Sequence, residues 1–217
     1  MLCRREINMK NNGFTMLEVL VGLVIAMLCM IMMLMTFKQI SKISLESSLD
    51  ADYDTQVQLG MLVLQKIIQN AGYGSGNVGD IAVDNNTLYL RFTPDLAEPT
   101  TLKCQALTYQ NDVSKKEYKL FLLENTNCGT DTVLKDLPWT NSSTNKSPLI
   151  TIKNQEITEG TAPIFTFSLQ SLVSPQKCTP YAISEHNPSG SKTVTITAQG
   201  QHINSKQIQS SICLNNI

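Results

Sequence analysis

The protein has 217 residues, of which 42% are hydrophobic and only 16% charged, and its formal net charge is -1. A charged fraction below the roughly 25% of an average soluble domain excludes a disordered polyelectrolyte. The lack of a basic excess argues against binding of nucleic acid by charge alone. The length suffices for one domain of ordinary size and an additional segment.

One long uncharged run lies near the N-terminus. It covers Val19–Phe37, is bounded by Glu18 and Lys38, and reads VLVGLVIAMLCMIMMLMTF. As a helix these residues extend for about 29 Å, which is enough to cross the hydrocarbon core of a bilayer. The run ends without the small-residue cleavage site of a secretory signal peptide. A stable membrane anchor is therefore favoured over a cleaved signal or a buried core helix.

The residues before this run form a motif, Gly13-Phe14-Thr15-Met16-Leu17-Glu18, which follows a short basic leader. The motif, with its leader and apolar run, closely resembles the processing site of type IV prepilins and type II secretion pseudopilins. The resemblance implies that a membrane prepilin peptidase cuts after Gly13, removes residues 1–13 and methylates the new N-terminus at Phe14. From the residues alone, Gly13 is also explained as a helix breaker before a membrane helix.

Glu18 is an acidic residue at the edge of the apolar run. A carboxylate in lipid is costly unless it is paired. A free amine at Phe14 lies four residues earlier, on the same face of a continuous helix, and would neutralise it. The resemblance implies that Glu18 also meets the Phe14 amine of a neighbouring subunit and so sets the register of a filament. The alternative is that Glu18 lies at the level of the lipid headgroups.

The apolar run predicts the first half of one long helix. No proline occurs before Pro94, so a helix can extend over 14–71, with its membrane-spanning part at about 17–37. The glycine-rich residues 72–76 predict its end, and residues 64–74 loosely resemble the helix end of minor pilins of the PilW kind. Apolar residues in the second half form one stripe, which predicts packing against the following domain: Leu45, Leu49, Tyr53, Val57, Met61, Leu64 and Ile68.

Residues 72–217 predict a β-rich globular domain. The polar residues 140–147 read as a surface loop. A turn at 84–87 and another containing Asn111 and Asp112 each lie between candidate strands. Short alternating or apolar segments give the strand predictions: 81–83, 88–92, 106–109, 118–123, 149–152, 164–169 and 193–198. The predicted fold class is α+β, with a long N-terminal helix packed against a mainly antiparallel sheet, as in pilins.

The cysteines are informative about compartment and metal binding. Cys3 lies in the leader and Cys29 in the apolar run, which leaves Cys104, Cys128, Cys178 and Cys213. Their spacings are too wide for a zinc site, so no metal is expected. Sequential pairing, Cys104–Cys128 and Cys178–Cys213, is favoured because each pair brackets hairpin-like sequence. Two disulfides would place the domain in an oxidising compartment, and buried free thiols are the alternative.

The sequence contains no recognisable catalytic pattern. His186 and His202 are isolated in polar contexts, and no cofactor is expected, so an anchored periplasmic enzyme is the weaker alternative. Lys115, Lys116 and Lys119 form a small basic patch. The patch would suit contact with DNA, although a solvated turn is the simpler interpretation.

The resemblance implies a minor pilin that primes or caps the assembly of a type IV pilus. Its expected partners are the prepilin peptidase, other major and minor pilins, the inner membrane and the pilus assembly platform. It would be anchored in the inner membrane with its C-terminal domain in the periplasm, and later reach the pilus and cell surface. The absence of a proline in the membrane part argues against a major pilin. The alternatives are a type II secretion minor pseudopilin and a pilus-tip module that binds a surface receptor or DNA.

Overall fold

A computed structural model of the chain describes these residues: 14–95, 97, 101–125, 128–139, 144–154, 157–158, 160–172, 177–179, 190–201, 206–214 and 216–217. The leader with Gly13 and Cys3, and both histidines, lie outside the described residues. By internal contacts the chain divides into residues up to Leu49 and a second unit, Asp50–Ile217.

Eight strands occur in the described part of the chain, in two antiparallel sheets. The five-stranded sheet has the order β1-β2-β3-β4-β5, and the three-stranded sheet has the order β6-β7-β8. With the helix α1 (Met16–Ile68), this arrangement confirms the predicted α+β fold class. The strands are β1 (Ile81–Asp84), β2 (Thr87–Phe92), β3 (Lys103–Asp112), β4 (Glu117–Asn125), β5 (Thr144–Lys153), β6 (Phe165–Ser171), β7 (Lys192–Ala198) and β8 (Ile208–Leu214).

The first half of α1 makes no packing contacts that bury its side chains. Every side chain from Phe14 to Leu49 is exposed, including the whole apolar run. By length and composition, α1 qualifies as a membrane-crossing helix. An uninterrupted apolar surface of this kind is stable in lipid and unfavourable in water, which is consistent with membrane anchoring.

The second half of α1 is buried on one side, against the β-sheets. Tyr53, Val57 and Leu64 are at most 2% exposed and join the core of the second unit. The predicted stripe is wrong at its start, because Leu45 and Leu49 are 64% and 46% exposed. These two residues precede Asp50, where the second compact unit begins.

At Gly60, α1 packs tightly against side chains of both sheets. A Cβ atom at this position would lie 2.7 Å from Cζ of Phe165 and 3.1 Å from Cδ1 of Ile150. We expect Gly60→Leu to lower the free energy of unfolding by about 1–3 kcal/mol, since the added atoms overpack the core. Gln58→Leu, at an exposed position of the same helix, is the control. Chemical denaturation of both variants measures the difference, and equal stability would contradict the close packing.

The structure tests three predicted turns and loops. The β1–β2 hairpin turns at Asn85 and Asn86, whose φ values are +45° and +59°, as a two-residue turn of type I′ requires. The predicted turn at Asn111 and Asp112 is wrong, since both residues pair with β4. The predicted loop 140–147 is wrong from Thr144 onward, where β5 begins, and residues 140–143 lie outside the described residues.

Asn86 also connects the two sheets. Its side-chain Nδ2 donates a hydrogen bond to the Phe165 carbonyl (2.9 Å), and its Oδ1 accepts one from the Phe167 N–H (3.0 Å). The amide thus pairs with the backbone of β6 as a neighbouring strand would. The β1–β2 hairpin is thereby joined to the edge of the three-stranded sheet.

Candidate functional site at the helix N-terminus

The start of α1 is fixed by a pair of side chains. Oε2 of Glu18 accepts hydrogen bonds from the backbone N–H of Thr15 (3.1 Å) and from its Oγ1 hydroxyl (3.2 Å). In return, the Glu18 N–H donates to Oγ1 of Thr15 at 3.4 Å. This reciprocal arrangement is a capping box, which satisfies N–H groups that a helix start otherwise leaves unpaired.

The capping box changes the interpretation of Glu18. Phe14 lies before the helix and is 84% exposed, so Phe14 and Glu18 do not share one helical face as the sequence analysis supposed. The reason is that the helix begins at Met16, directly after Thr15, which places Glu18 in its first turn. The partner of Glu18 within the described residues is Thr15. The Thr-x-x-Glu spacing carries this signal, and the sequence analysis missed it.

The capping box has a consequence for the candidate cleavage site. Because Thr15 caps the start of the helix, Phe14 lies outside the regular hydrogen-bonding of α1. The acidic side chain also complements the positive end of the helix dipole. The site therefore combines a non-helical residue, a fixed helix start and an exposed apolar helix within a few residues.

Residues 8–34 match the prokaryotic N-terminal methylation motif. The matched segment contains Gly13, Phe14, Glu18 and most of the apolar run, and it supports the resemblance to prepilins at this end of the chain. It does not extend into the β-rich unit. No curated protein and no solved structure matches the chain.

Two disulfides lie in the β-rich unit. They join Cys104 to Cys128, with Cα atoms 5.8 Å apart, and Cys178 to Cys213, with Cα atoms 5.7 Å apart. The pairing is the sequential one. Cys29 is a free, exposed thiol on the apolar part of α1.

A buried ion pair near the end of α1 was not predicted. Nε of Arg91 lies 2.6 Å from Oδ1 of Asp80, and both side chains are at most 3% exposed. The Arg91 guanidinium also donates to the carbonyls of Gly129 (2.6 Å) and Thr132 (3.0 Å). Oδ2 of Asp80 accepts hydrogen bonds from the Ser75 hydroxyl and the Asn77 N–H. Since protein groups satisfy both charges, the cluster has a structural role in this unit.

Two of the three lysines in the predicted basic patch contact other groups of the same chain. Lys119 Nζ lies 2.9 Å from a carboxylate oxygen of Glu117, and this hydrogen bond raises the pKa of Lys119. Lys116 Nζ donates to the carbonyl of Ile157 at 2.5 Å. Among the three lysines only Lys115 is exposed, and Lys116 and Lys119 are half-buried, so the structure lends the DNA-binding alternative little support.

The ranges that the structure describes contain no candidate metal site. No group of three or more His, Cys, Asp or Glu residues is placed there to hold an ion. His186 and His202 lie outside those ranges.

Proposed function

We propose that the protein is a minor pilin of a type IV pilus. It is made as a prepilin, cut after Gly13 by the prepilin peptidase and methylated at Phe14. The observation that carries this proposal is the methylation motif at residues 8–34, which contains the capped start of α1 and most of the exposed apolar run. The mature subunit helps to prime or cap pilus assembly.

In the proposed mechanism α1 has two roles, first as a membrane anchor and then as a packing surface in the filament. The apolar run first anchors the subunit in the inner membrane, with the β-rich unit in the periplasm, where an oxidising environment maintains the disulfides. The assembly platform then extracts the subunit, and its apolar helix packs among those of other pilins. Once the helix has left the lipid, exclusion from water of a surface as long as Val19–Phe37 stabilises that packing.

Glu18 acts as the register mark in this proposal. Within one chain its carboxylate caps Thr15, and in the filament it accepts the Phe14 amine of a neighbouring subunit as well. A buried carboxylate with no cationic partner is costly, so only one offset between adjacent helices is favourable. The contact needs a charged amine at Phe14, which is an uncharged amide nitrogen until the chain is cut after Gly13.

The register role predicts a specific loss of filament incorporation. We expect Glu18→Ala to reduce the amount of protein in sheared pilus fractions by at least about tenfold, which corresponds to the loss of one buried charge pair. Glu46→Ala is the control, because Glu46 is an exposed carboxylate on the same helix that pairs with Lys42 at 3.8 Å. Immunoblots of filament and membrane fractions measure the distribution. Equal incorporation of both variants would remove the register role.

The motif is common to pilins and secretion pseudopilins, so the assignment to a pilus is tested in a deletion strain. We propose that the strain loses surface pili while its type II secretion continues. Complementation with the wild-type chain should restore piliation. Loss of secretion with normal pili would instead assign the protein to the secretion system.

A further inference from the structure

The two disulfides of the β-rich unit have different surroundings. Cys104 is fully buried in a small apolar cluster, and Cys128 packs against the same cluster. Cys178 and Cys213 are both half-buried, and both line a depression of about 570 Å³. A thiolate that approaches from solvent therefore reaches the sulfur atoms of Cys178–Cys213 more readily than those of Cys104–Cys128.

The depression beside Cys178–Cys213 is mostly polar and carries one positive charge. Lys177 is the one charged residue among the described residues that line it. This lysine directly precedes Cys178 in the chain and is exposed. A nearby cation stabilises a thiolate, both as the attacking group and as the leaving group. The depression therefore combines access for a nucleophile with a favourable charge.

The surroundings of Cys178 also suit its reduced form. Its Sγ lies 3.5 Å from the carbonyl oxygen of Gly190 and 3.6 Å from that of Lys192. A disulfide sulfur has no proton to donate to these oxygens, whereas a thiol is a weak donor and reaches them from the same position. Interactions that only the reduced form makes favour reduction of a disulfide.

Cys178 is joined to the three-stranded sheet through its side chain and its backbone. The side chain is bonded to Cys213 of β8, and the backbone exchanges two hydrogen bonds with Gly190, at 3.1 and 3.2 Å. A Cβ atom at Gly190 would lie 2.7 Å from Sγ of Cys178 and closer still to Sγ of Cys213, so this backbone packs directly on the disulfide. β8 itself pairs with β7 over Ile208–Leu214. Breaking the disulfide thus leaves Cys178 held by its bridge to Gly190 while the pairing of β7 with β8 remains.

We propose that Cys178–Cys213 is a site of thiol–disulfide exchange, which a dithiol reductant opens while the rest of the β-rich unit stays folded. One thiolate of the reductant attacks Sγ of Cys213, the bond between the two cysteine sulfurs breaks, and Cys178 leaves with the electron pair as a thiolate near Lys177. The second thiolate of the reductant attacks the mixed disulfide and releases Cys213. The reductant loses two electrons and becomes a disulfide, and its two protons pass to the two cysteines. Neither cleavage after Gly13 nor the proposed function is needed for this exchange.

The test uses the full-length protein in detergent micelles, with dithiothreitol as the dithiol. Samples taken over time are alkylated with N-ethylmaleimide and digested, and mass spectrometry quantifies each cysteine. Without denaturant, we expect Cys178 and Cys213 to be reduced at least about tenfold faster than Cys104 and Cys128. In denaturant, where both disulfides are accessible, the ratio should fall towards one. Equal rates in the native protein, or faster reduction of Cys104–Cys128, would overturn the proposal.

A second arm distinguishes a protein reductant from a small one. Reduced thioredoxin replaces dithiothreitol at the same dithiol concentration. Reduction of Cys178–Cys213 by both would show that a protein dithiol reaches the depression, and reduction by dithiothreitol alone would restrict the site to small dithiols. Reduction by neither in the native protein would overturn the proposal.

Two lysine variants test the depression as the route of attack. Lys177→Gln should slow reduction of Cys178–Cys213 by about two- to fourfold, because it removes the cation near the leaving thiolate. Lys206→Gln should leave the rate unchanged. It makes the same change in charge at an exposed residue close to the opposite end of β8 from Cys213. Equal rates for the two variants would overturn the depression as the route.

The reduced state is tested with the double variant Cys178→Ser, Cys213→Ser, which cannot form the bond. Hydrogen exchange should be faster at the amides of positions 178 and 190, while the amides at 194–198 in β7 stay protected. Loss of protection throughout β7 and β8 would overturn the proposal, because the disulfide would then hold the whole sheet. The matched double variant Cys104→Ser, Cys128→Ser should instead unfold at a lower denaturant concentration, since it places a hydroxyl in a buried apolar cluster.

Discussion

Arg91→Met should lower the free energy of unfolding of the protein by about 3–5 kcal/mol, because it leaves the Asp80 carboxylate buried without its cation. Asp80 is fully buried and Arg91 is 3% exposed, so water cannot compensate either charge. The substitution also removes the donor that satisfies the carbonyls of Gly129 and Thr132. A loss of this size is a large share of the stability of a domain. Denaturant unfolding followed by circular dichroism measures it.

The matched control is Lys119→Met. Lys119 also pairs with a carboxylate, that of Glu117, but both side chains are partly exposed at 26% and 19%. An ion pair in contact with water contributes little, so this variant should lose less than about 1 kcal/mol. The double variant Asp80→Asn, Arg91→Met should regain part of the stability lost by Arg91→Met, since it removes the unpaired charge. Equal effects of Arg91→Met and Lys119→Met would show that the buried pair does not hold the unit together.

Gly13→Val should abolish maturation of the protein. In the proposed function the peptidase cuts directly after Gly13, and a branched side chain next to the scissile bond would block entry into a narrow site. The precursor should then accumulate in the membrane with residues 1–13 attached and should be missing from pili. Electrophoretic mobility and mass spectrometry of the membrane fraction measure this outcome.

The control for this prediction is Gly22→Val. Gly22 lies within the same matched segment, and beyond its chain neighbours and the backbone of its own helix, a Cβ atom there would meet nothing within 4 Å. Valine is apolar and fits a membrane helix, so this variant should be processed normally. Normal processing of Gly13→Val would reject the cleavage site, and failure of both variants would point to a general effect on membrane insertion.

The features that depend on local sequence could be predicted. The length of α1 follows from the absence of proline and from the apolar run, and both are visible in the sequence. The hairpin turn at Asn85 and Asn86 was predictable because asparagine tolerates positive φ. The stripe on α1 was predicted with the right period and the wrong start, because sequence does not show where the sheets begin to cover the helix.

The remaining features depend on residues far apart in the chain. β8 was not predicted, since Gln209, Ser210 and Ser211 break the apolar alternation that identifies a strand. Pairing with β7 and the disulfide at Cys213 hold it in the sheet. In the buried ion pair, Arg91 of β2 contacts Asp80 of a short 3₁₀ helix, Val78–Asp80. Only the folded chain shows which carboxylate pairs with which cation. At the candidate site, the capping box of Thr15 and Glu18 could be predicted from the sequence, while the proposed role of Gly13 depends on an enzyme.

The mass and N-terminal sequence of the protein isolated from native membranes and from sheared pili test the central claim most directly. The account predicts a chain that begins at Phe14, lacks residues 1–13 and carries one additional methyl group on its N-terminal amine. A chain that still begins at Met1, or that is cut at any other position, would contradict it.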